Sequence, residues 1–267
     1  MNVNRQGKII AIYNPCERIR TGCSTTAIAL ATTLSWYGHR KTFLTSYCLN
    51  NQLCEYIKSD ITILHTLDDL RVKGVEVKPS DQKMLESAIN DKLTCIGNQI
   101  LATNINTSDS NFLYQFIRNL RQENDFSIID LGHIQEQTIL DEADIIICLI
   151  PYDEDLVRTV KENNCYFTRT NTLIVFNNVY KQLLDEVKTF ANSINLTKYM
   201  CLTGDVNIYY NTTISKSLYS YLVENIRSKD RYINDLLDLS YEVLKTCDMD
   251  LDMEMKESFL KKIFRTG

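Results

Sequence analysis

Residues 8–37, KIIAIYNPCERIRTGCSTTAIALATTLSWY, decide the fold. Lys8-Ile-Ile-Ala-Ile-Tyr13 is a short, unbroken apolar run of the kind that fills a parallel sheet buried on both faces. Asn14 to Gly22 is polar and reads as a loop, and Ser24 to Tyr37 sets Ala, Leu and Thr at helical spacing. Gly38 ends that helix as a C-cap residue does, and Lys41 to Ser46 reads as a second strand after a short turn. The chain therefore opens with a βαβ unit.

Working outward, the same alternation continues. Helical stretches are expected at 49–57, 81–93 and 111–121, with a short strand at 98–102. Phe126-Ser-Ile-Ile-Asp130 is an apolar strand ending in aspartate, Thr138 to Ala143 suits a short helix, and Asp144 to Ile150 is a fully apolar strand. Leu156 to Tyr166 reads as helix, Thr172 to Asn177 as strand, Gln182 to Asn192 as helix and Tyr199 to Thr203 as a last strand, with helix expected from Ile214 to the end. Buried strands alternating with helices imply an α/β domain, a doubly wound and mostly parallel sheet with helices on both faces, over residues 1–250. Residues 251–267 form a separate amphipathic tail.

Composition narrows the function classes. In 267 residues, 44% are hydrophobic and 24% charged, which excludes a disordered chain, a collagen-like chain and a membrane bundle. A net charge of −5 provides no global attraction to nucleic acid, so a nucleic-acid partner is not expected. Nine cysteines, an odd number without a CxxC pair, and a first apolar stretch too short for a signal sequence point to a reduced, cytoplasmic setting. Histidines at 39, 65 and 133 lack ligand spacing, so zinc is not expected. Glycine is scarce, only 8, which sets any glycine-rich phosphate motif under suspicion.

In a doubly wound sheet, ligands bind beyond the carboxyl ends of the strands, and the loop from the first strand into its helix offers backbone N–H groups to phosphate. Here that loop runs Asn14-Pro-Cys-Glu-Arg-Ile-Arg-Thr-Gly-Cys-Ser-Thr-Thr26. From Gly22, GCSTTAIALA resembles the GKTTTALNLA stretch of the ParA/MinD family, the partition and cell-division ATPases with a deviant Walker A motif. Phe126 to Ile150 resembles the family's Walker B strand and its successor, Val175-Phe-Asn-Asn178 its base-contacting strand end, and Thr203-Gly-Asp-Val206 its last loop. The resemblance implies ATP or ADP with Mg2+ as cofactor, held by Arg18, Gly22, Cys23, Ser24, Thr25, Asp130 and Asn177. Ser24 and Asp130 are the implied metal ligands, Asp130 the one catalytic candidate, and a homodimer the implied assembly.

The departures from that pattern are as informative as the match. KGGxGKT laid over Arg18-Ile-Arg-Thr-Gly-Cys-Ser24 puts Cys23 where the phosphate-binding lysine belongs, and Ile19 and Arg20 where two glycines belong. Cysteine has neither the charge nor the reach of lysine, and a β-branched isoleucine resists the backbone geometry that glycine permits. Arg18 falls at the lysine that in this family reaches across the dimer. After the second strand, Thr45-Ser-Tyr-Cys48 replaces the aspartates that position water and metal, so slow or absent hydrolysis is expected. A plainer reading stands beside this one: Asp130 pairs with Arg18 or Arg20, or caps the neighbourhood of Thr138; Ser24 and Thr25 cap a helix; and Asn177 satisfies a strand end.

In the tail, Met255, Phe259, Leu260, Ile263 and Phe264 fall on one half of a helix and Lys261, Lys262 and Arg265 on the other. Phe259 to Phe264, FLKKIF, resembles the membrane-targeting tail of the MinD proteins, implying peripheral attachment at the inner face of the cell membrane. The alternative is a last helix packed on the core. Among functions, the degenerate loop and the tail favour a positioning or scaffold factor similar to the TadZ/CpaE proteins of pilus and secretion machinery. An active plasmid or chromosome partition ATPase and a nucleotide-independent regulatory binding module are the competing readings.

Overall fold

The computed structural model describes residues 6–16, 21–47, 53, 56–57, 78–97 and 110–248. β1 (Lys8–Tyr13) leads into α1 (Cys23–Thr32), which widens into one π-helical turn at Thr33–Tyr37 before β2 (Thr42–Ser46). Then come α2 (Pro79–Leu85), β3 (Ser87–Ala88), β4 (Leu93–Cys95), α3 (Ser110–Glu123), β5 (Phe126–Gly132), α4 (Gln137–Glu142) and β6 (Ile145–Pro151). α5 (Glu154–Asn163), β7 (Thr172–Val179), α6 (Leu184–Ser193), β8 (Tyr199–Thr203), α7 (Val206–Thr213), α8 (Leu218–Asn225) and α9 (Arg231–Thr246) complete the order.

Among the described residues, eight strands form one sheet in the order β3-β4-β2-β5-β1-β6-β7-β8. Every neighbouring pair is parallel except β3 with β4. The doubly wound architecture follows from β1, whose residues 9–12 are wholly buried because both of its faces are covered. Ile10 and Ile12 pack with Ala27, Ile28 and Leu30 of α1 and with Leu236 and Leu239 of α9. Ile9 and Ala11 pack on the opposite face with Phe116 and Leu120 of α3 and Leu140 of α4. Each such isoleucine contributes roughly 1.5–3 kcal/mol by leaving water.

Two local expectations are corrected. The helix expected over 81–93 stops at Leu85, and a hairpin follows. Asn90 causes the reversal: its side-chain oxygen accepts hydrogen bonds from Lys92 N at 2.7 Å and Leu93 N at 2.8 Å, an Asx turn that delivers β4 to β2. The continuous helix expected from Ile214 is two helices, α8 and α9, the second started by Asp230, whose carboxylate accepts from Tyr232 N. Gly38 is the C-cap of the first helical segment, as expected, with a right-handed backbone, φ −84°, and the left-handed residue is His39, φ 51°. Glycine is needed at 38 because a Cβ there would lie 2.8 Å from the Leu34 carbonyl oxygen. The expected elements at 98–102 and in the tail, and most of 49–57, lie outside the described residues.

Candidate functional site

β1 lies between β5 and β6, so the loop leaving its carboxyl end opens where the chain winds off in both directions across the sheet. Asn14 begins the turn out of the strand. Its amide N–H bonds Gly132 O at 2.6 Å, its side-chain oxygen accepts from Cys16 N at 2.8 Å, and its side-chain amide donates to Cys16 O at 3.0 Å. Pro15, which has no N–H to offer, sits inside this turn. Burial raises the Cys16 thiol above its ordinary pKa, which favours the protonated form.

At its far end the loop turns sharply into α1 through Gly22, which has φ +83°. Two things require glycine there: the left-handed backbone, and the side-chain nitrogen of Asn177, which would lie 2.8 Å from any Cβ. That nitrogen donates to Thr21 O at 2.6 Å, tying the end of β7 to the loop. The other polar atom of this side chain, Asn177 Oδ1, is buried with no hydrogen-bond partner.

Cys23, Ser24 and Thr25 form the first turn of α1, the first two buried and Thr25 half-buried. Its N-cap, Gly22, has no side chain to cap it, and no acidic residue sits in its first turn. The Cys23 sulfur lies 3.4 Å from the Thr21 hydroxyl and 3.9 Å from Gly132 O, inside the loop's own framework. Ser24 instead reaches across to β5, its hydroxyl donating to Asp130 Oδ2 at 2.6 Å.

Asp130 is wholly buried at the end of β5. Besides Ser24, its Oδ2 accepts from the Ser46 hydroxyl at 3.2 Å, and its Oδ1 accepts from Gly132 N at 2.9 Å. Charge-assisted bonds of this kind are roughly twice as strong as neutral ones. The capping role near Thr138 belongs to Glu136, which accepts from Thr138 N, and not to Asp130. Gly22, rather than Ser24 or Thr25, is the N-cap of α1.

The structure thus brings Gly22, Cys23, Ser24, Thr25, Asp130 and Asn177 together at one end of the sheet, whereas Arg18 and the tail residues Phe259, Leu260, Lys261, Lys262, Ile263 and Phe264 lie outside the described residues. Sequence reasoning placed Ser46 in the stretch that replaces the aspartates but gave it no role of its own. It stands opposite Asp130 in the register of β2 with β5, a relation that exists only once the strand order is known. Among the described residues, no group of three or more His, Cys, Asp or Glu is placed to hold a metal ion, and no helix is long and apolar enough to cross a membrane.

No protein-family model matches the chain, and no curated protein matches it in sequence. Solved structures do. A ParA family ATPase from Chlorobium tepidum TLS superposes with a TM-score of 0.67 at 14% identity, over 88% of this chain and 98% of that one. The fold is that of the ParA and MinD ATPases. A plasmid partition protein from Borrelia burgdorferi B31 bound to AMPPNP matches with a TM-score of 0.66 at 16% identity, covering 96% of this chain and all of the other. The MinD cell division protein of Aquifex aeolicus matches at 0.63 and 11%, covering 90% and 98%. In the ParA/MinD fold, the described loop, Asp130 and the end of β7 stand at the carboxyl edge of the parallel sheet, the edge at which such sheets take ligands.

Proposed function

We propose that this chain is a ParA/MinD-like positioning or scaffold factor that binds ATP or ADP weakly and hydrolyses it slowly or not at all. The observation that carries the reading is Cys23. The uncapped start of α1, the left-handed Gly22 and the unpaired Asn177 Oδ1 together suit a phosphate and a base with hydrogen-bonding edges. At the position of the phosphate-binding lysine, however, stands a thiol with no charge, and at the end of β2 stands Ser46 in place of a carboxylate. Binding groups are retained and the charges that stabilise a transition state are not.

The same proposal extends to assembly and place. A homodimer, a protein partner in a pilus or secretion apparatus as for the TadZ/CpaE proteins, and reversible attachment through residues 251–267 are the roles that suit a fold used for positioning. A short basic amphipathic segment binds anionic bilayers weakly, and two copies in a dimer multiply its hold.

Melting the protein with and without ATP and magnesium tests the nucleotide reading, because a ligand that binds only the folded state must raise the melting temperature. A rise, with phosphate release at or near the uncatalysed rate, is expected. An unchanged melting temperature at millimolar nucleotide supports the nucleotide-independent binding module instead, and steady turnover abolished by Asp130→Ala supports an active ATPase. Equal sedimentation with anionic liposomes of the full chain and of a chain ending at residue 255 rejects membrane attachment.

A further inference from the structure

The resemblance implies Mg2+ at Ser24 and Asp130, and the residues present do not fit it. Mg2+ demands near-ideal octahedral geometry and keeps several of its waters, so it is held through one or two carboxylates together with the phosphates of its ligand. Metal-bound waters in turn need acceptors. Asp130 is the carboxylate at hand, and three of its roughly four acceptor positions receive donors. An ionised carboxylate oxygen offers about two lone-pair sites. On Oδ2 these receive Ser24 at 2.6 Å and Ser46 at 3.2 Å, while Oδ1 receives Gly132 N at 2.9 Å. The Asp130 side chain has no solvent-exposed surface through which a hydrated ion could approach.

Ser46 is the decisive member of this set. Its backbone pairs directly opposite Asp130, so its hydroxyl is delivered to the carboxylate by the sheet register and needs no loop rearrangement to reach it. It is itself 1% exposed. A serine at this place does two things: it adds no second carboxylate beside Asp130, and it fills an acceptor site on Oδ2 that a metal-bound water would use.

We infer that Ser46 makes this a site for the magnesium-free polyphosphate, so that nucleotide binding by the chain is independent of Mg2+. The inference rests on the nucleotide reading, and the two fail in different ways. The experiment is titration calorimetry of AMPPNP into the full chain in magnesium chloride and again in EDTA, for the wild type and for Ser46→Ala, with circular dichroism to establish that the variant is folded. The wild-type affinity is expected to agree within about twofold between the two buffers. Outer-shell partners of a metal site change metal affinity by about 10- to 100-fold, so Ser46→Ala, which takes one donor off Asp130, is expected to bind about tenfold more tightly with magnesium than without. Wild-type binding that weakens about tenfold or more in EDTA overturns the inference and leaves the nucleotide reading standing. Folded Ser46→Ala that remains indifferent to magnesium removes Ser46 as the cause and also overturns it. Absence of AMPPNP binding in both buffers overturns the nucleotide reading and this inference with it. If Ser46→Ala does not fold, the wild-type comparison alone decides whether binding is magnesium-independent.

Discussion

The Ser24 and Ser46 hydroxyls converge on one oxygen, Oδ2 of Asp130, from two different elements, the first turn of α1 and the end of β2. The carboxylate is therefore the point at which helix, loop and two strands are fastened together. A wholly buried charge is tolerated only with such partners, and removing one side of the arrangement strands the other.

Asp130→Ala is accordingly expected to destabilise the fold by about 3 kcal/mol or more, since hydrogen bonds to charged groups contribute about 1.5–3 kcal/mol each and here three donors lose their acceptor. Urea denaturation checks this through a lower midpoint at unchanged slope. A loss under about 1 kcal/mol would mean the network contributes little.

Gly22→Ala is expected to cost about 1–2 kcal/mol for the left-handed backbone, with a further cost from its contact with Asn177. In Asn177→Ala the obstructing nitrogen is gone, along with its bond to Thr21 O. A double-mutant cycle should therefore return a coupling of about 0.5–1 kcal/mol, the pair costing less than the sum of its members. Strict additivity would contradict the close approach.

Cys23→Lys restores a charge at the start of α1. Nucleotide is expected to raise its melting temperature by more than it raises that of the wild type, corresponding to an affinity gain of about tenfold for one charge-assisted phosphate contact of roughly 1.4 kcal/mol. Phosphate release should stay slow because Ser46 still stands at the end of β2. An unchanged or smaller shift would show that the loop cannot direct a lysine to the phosphate.

Asp230 is expected to give a pH effect whose sign follows from its surroundings. Its carboxyl is raised above the ordinary 3.8, first by burial and next by the nearby Asp205 carboxylate. The folded chain then holds this proton more readily than the unfolded one, so the associated stability is present at low pH and is lost as pH rises through the folded value. Asp230→Asn keeps a good cap for α9 and removes the titration. Its melting temperature should exceed that of the wild type at pH 7, by an amount worth no more than about 0.5 kcal/mol given the partial exposure, and the difference should vanish below about pH 4. A lower melting temperature at pH 7 would reverse the assignment.

How much of this was legible beforehand depends on what holds each element. Ile145 to Ile150 and Phe126 to Asp130 read directly as strands because each is buried on both faces and carries an unbroken apolar run. α7 was missed. Its sequence, Val-Asn-Ile-Tyr-Tyr-Asn-Thr-Thr, is a weak helix former, and it is started by Asp205, which accepts from Asn207 N and Ile208 N. Gly22, Ser24 and Asp130 were picked out one by one from their positions in motifs. Ser46 was read only as part of a stretch that lacks aspartates, and its own role arises from a neighbour 84 residues away in sequence.

The central position of β1 also governs how the protein must be made. Lys8 pairs with Phe126, and Ile10 with Ile145, so β1 has no partner on one side until residues up to 132 have followed it, and none on the other until residues up to 151 have. During that interval Ile9, Ile10 and Ile12 form an exposed, β-prone segment, the kind of surface that aggregates or recruits chaperones. Co-translational folding of this domain is therefore expected to begin late, with β1 as its most vulnerable part.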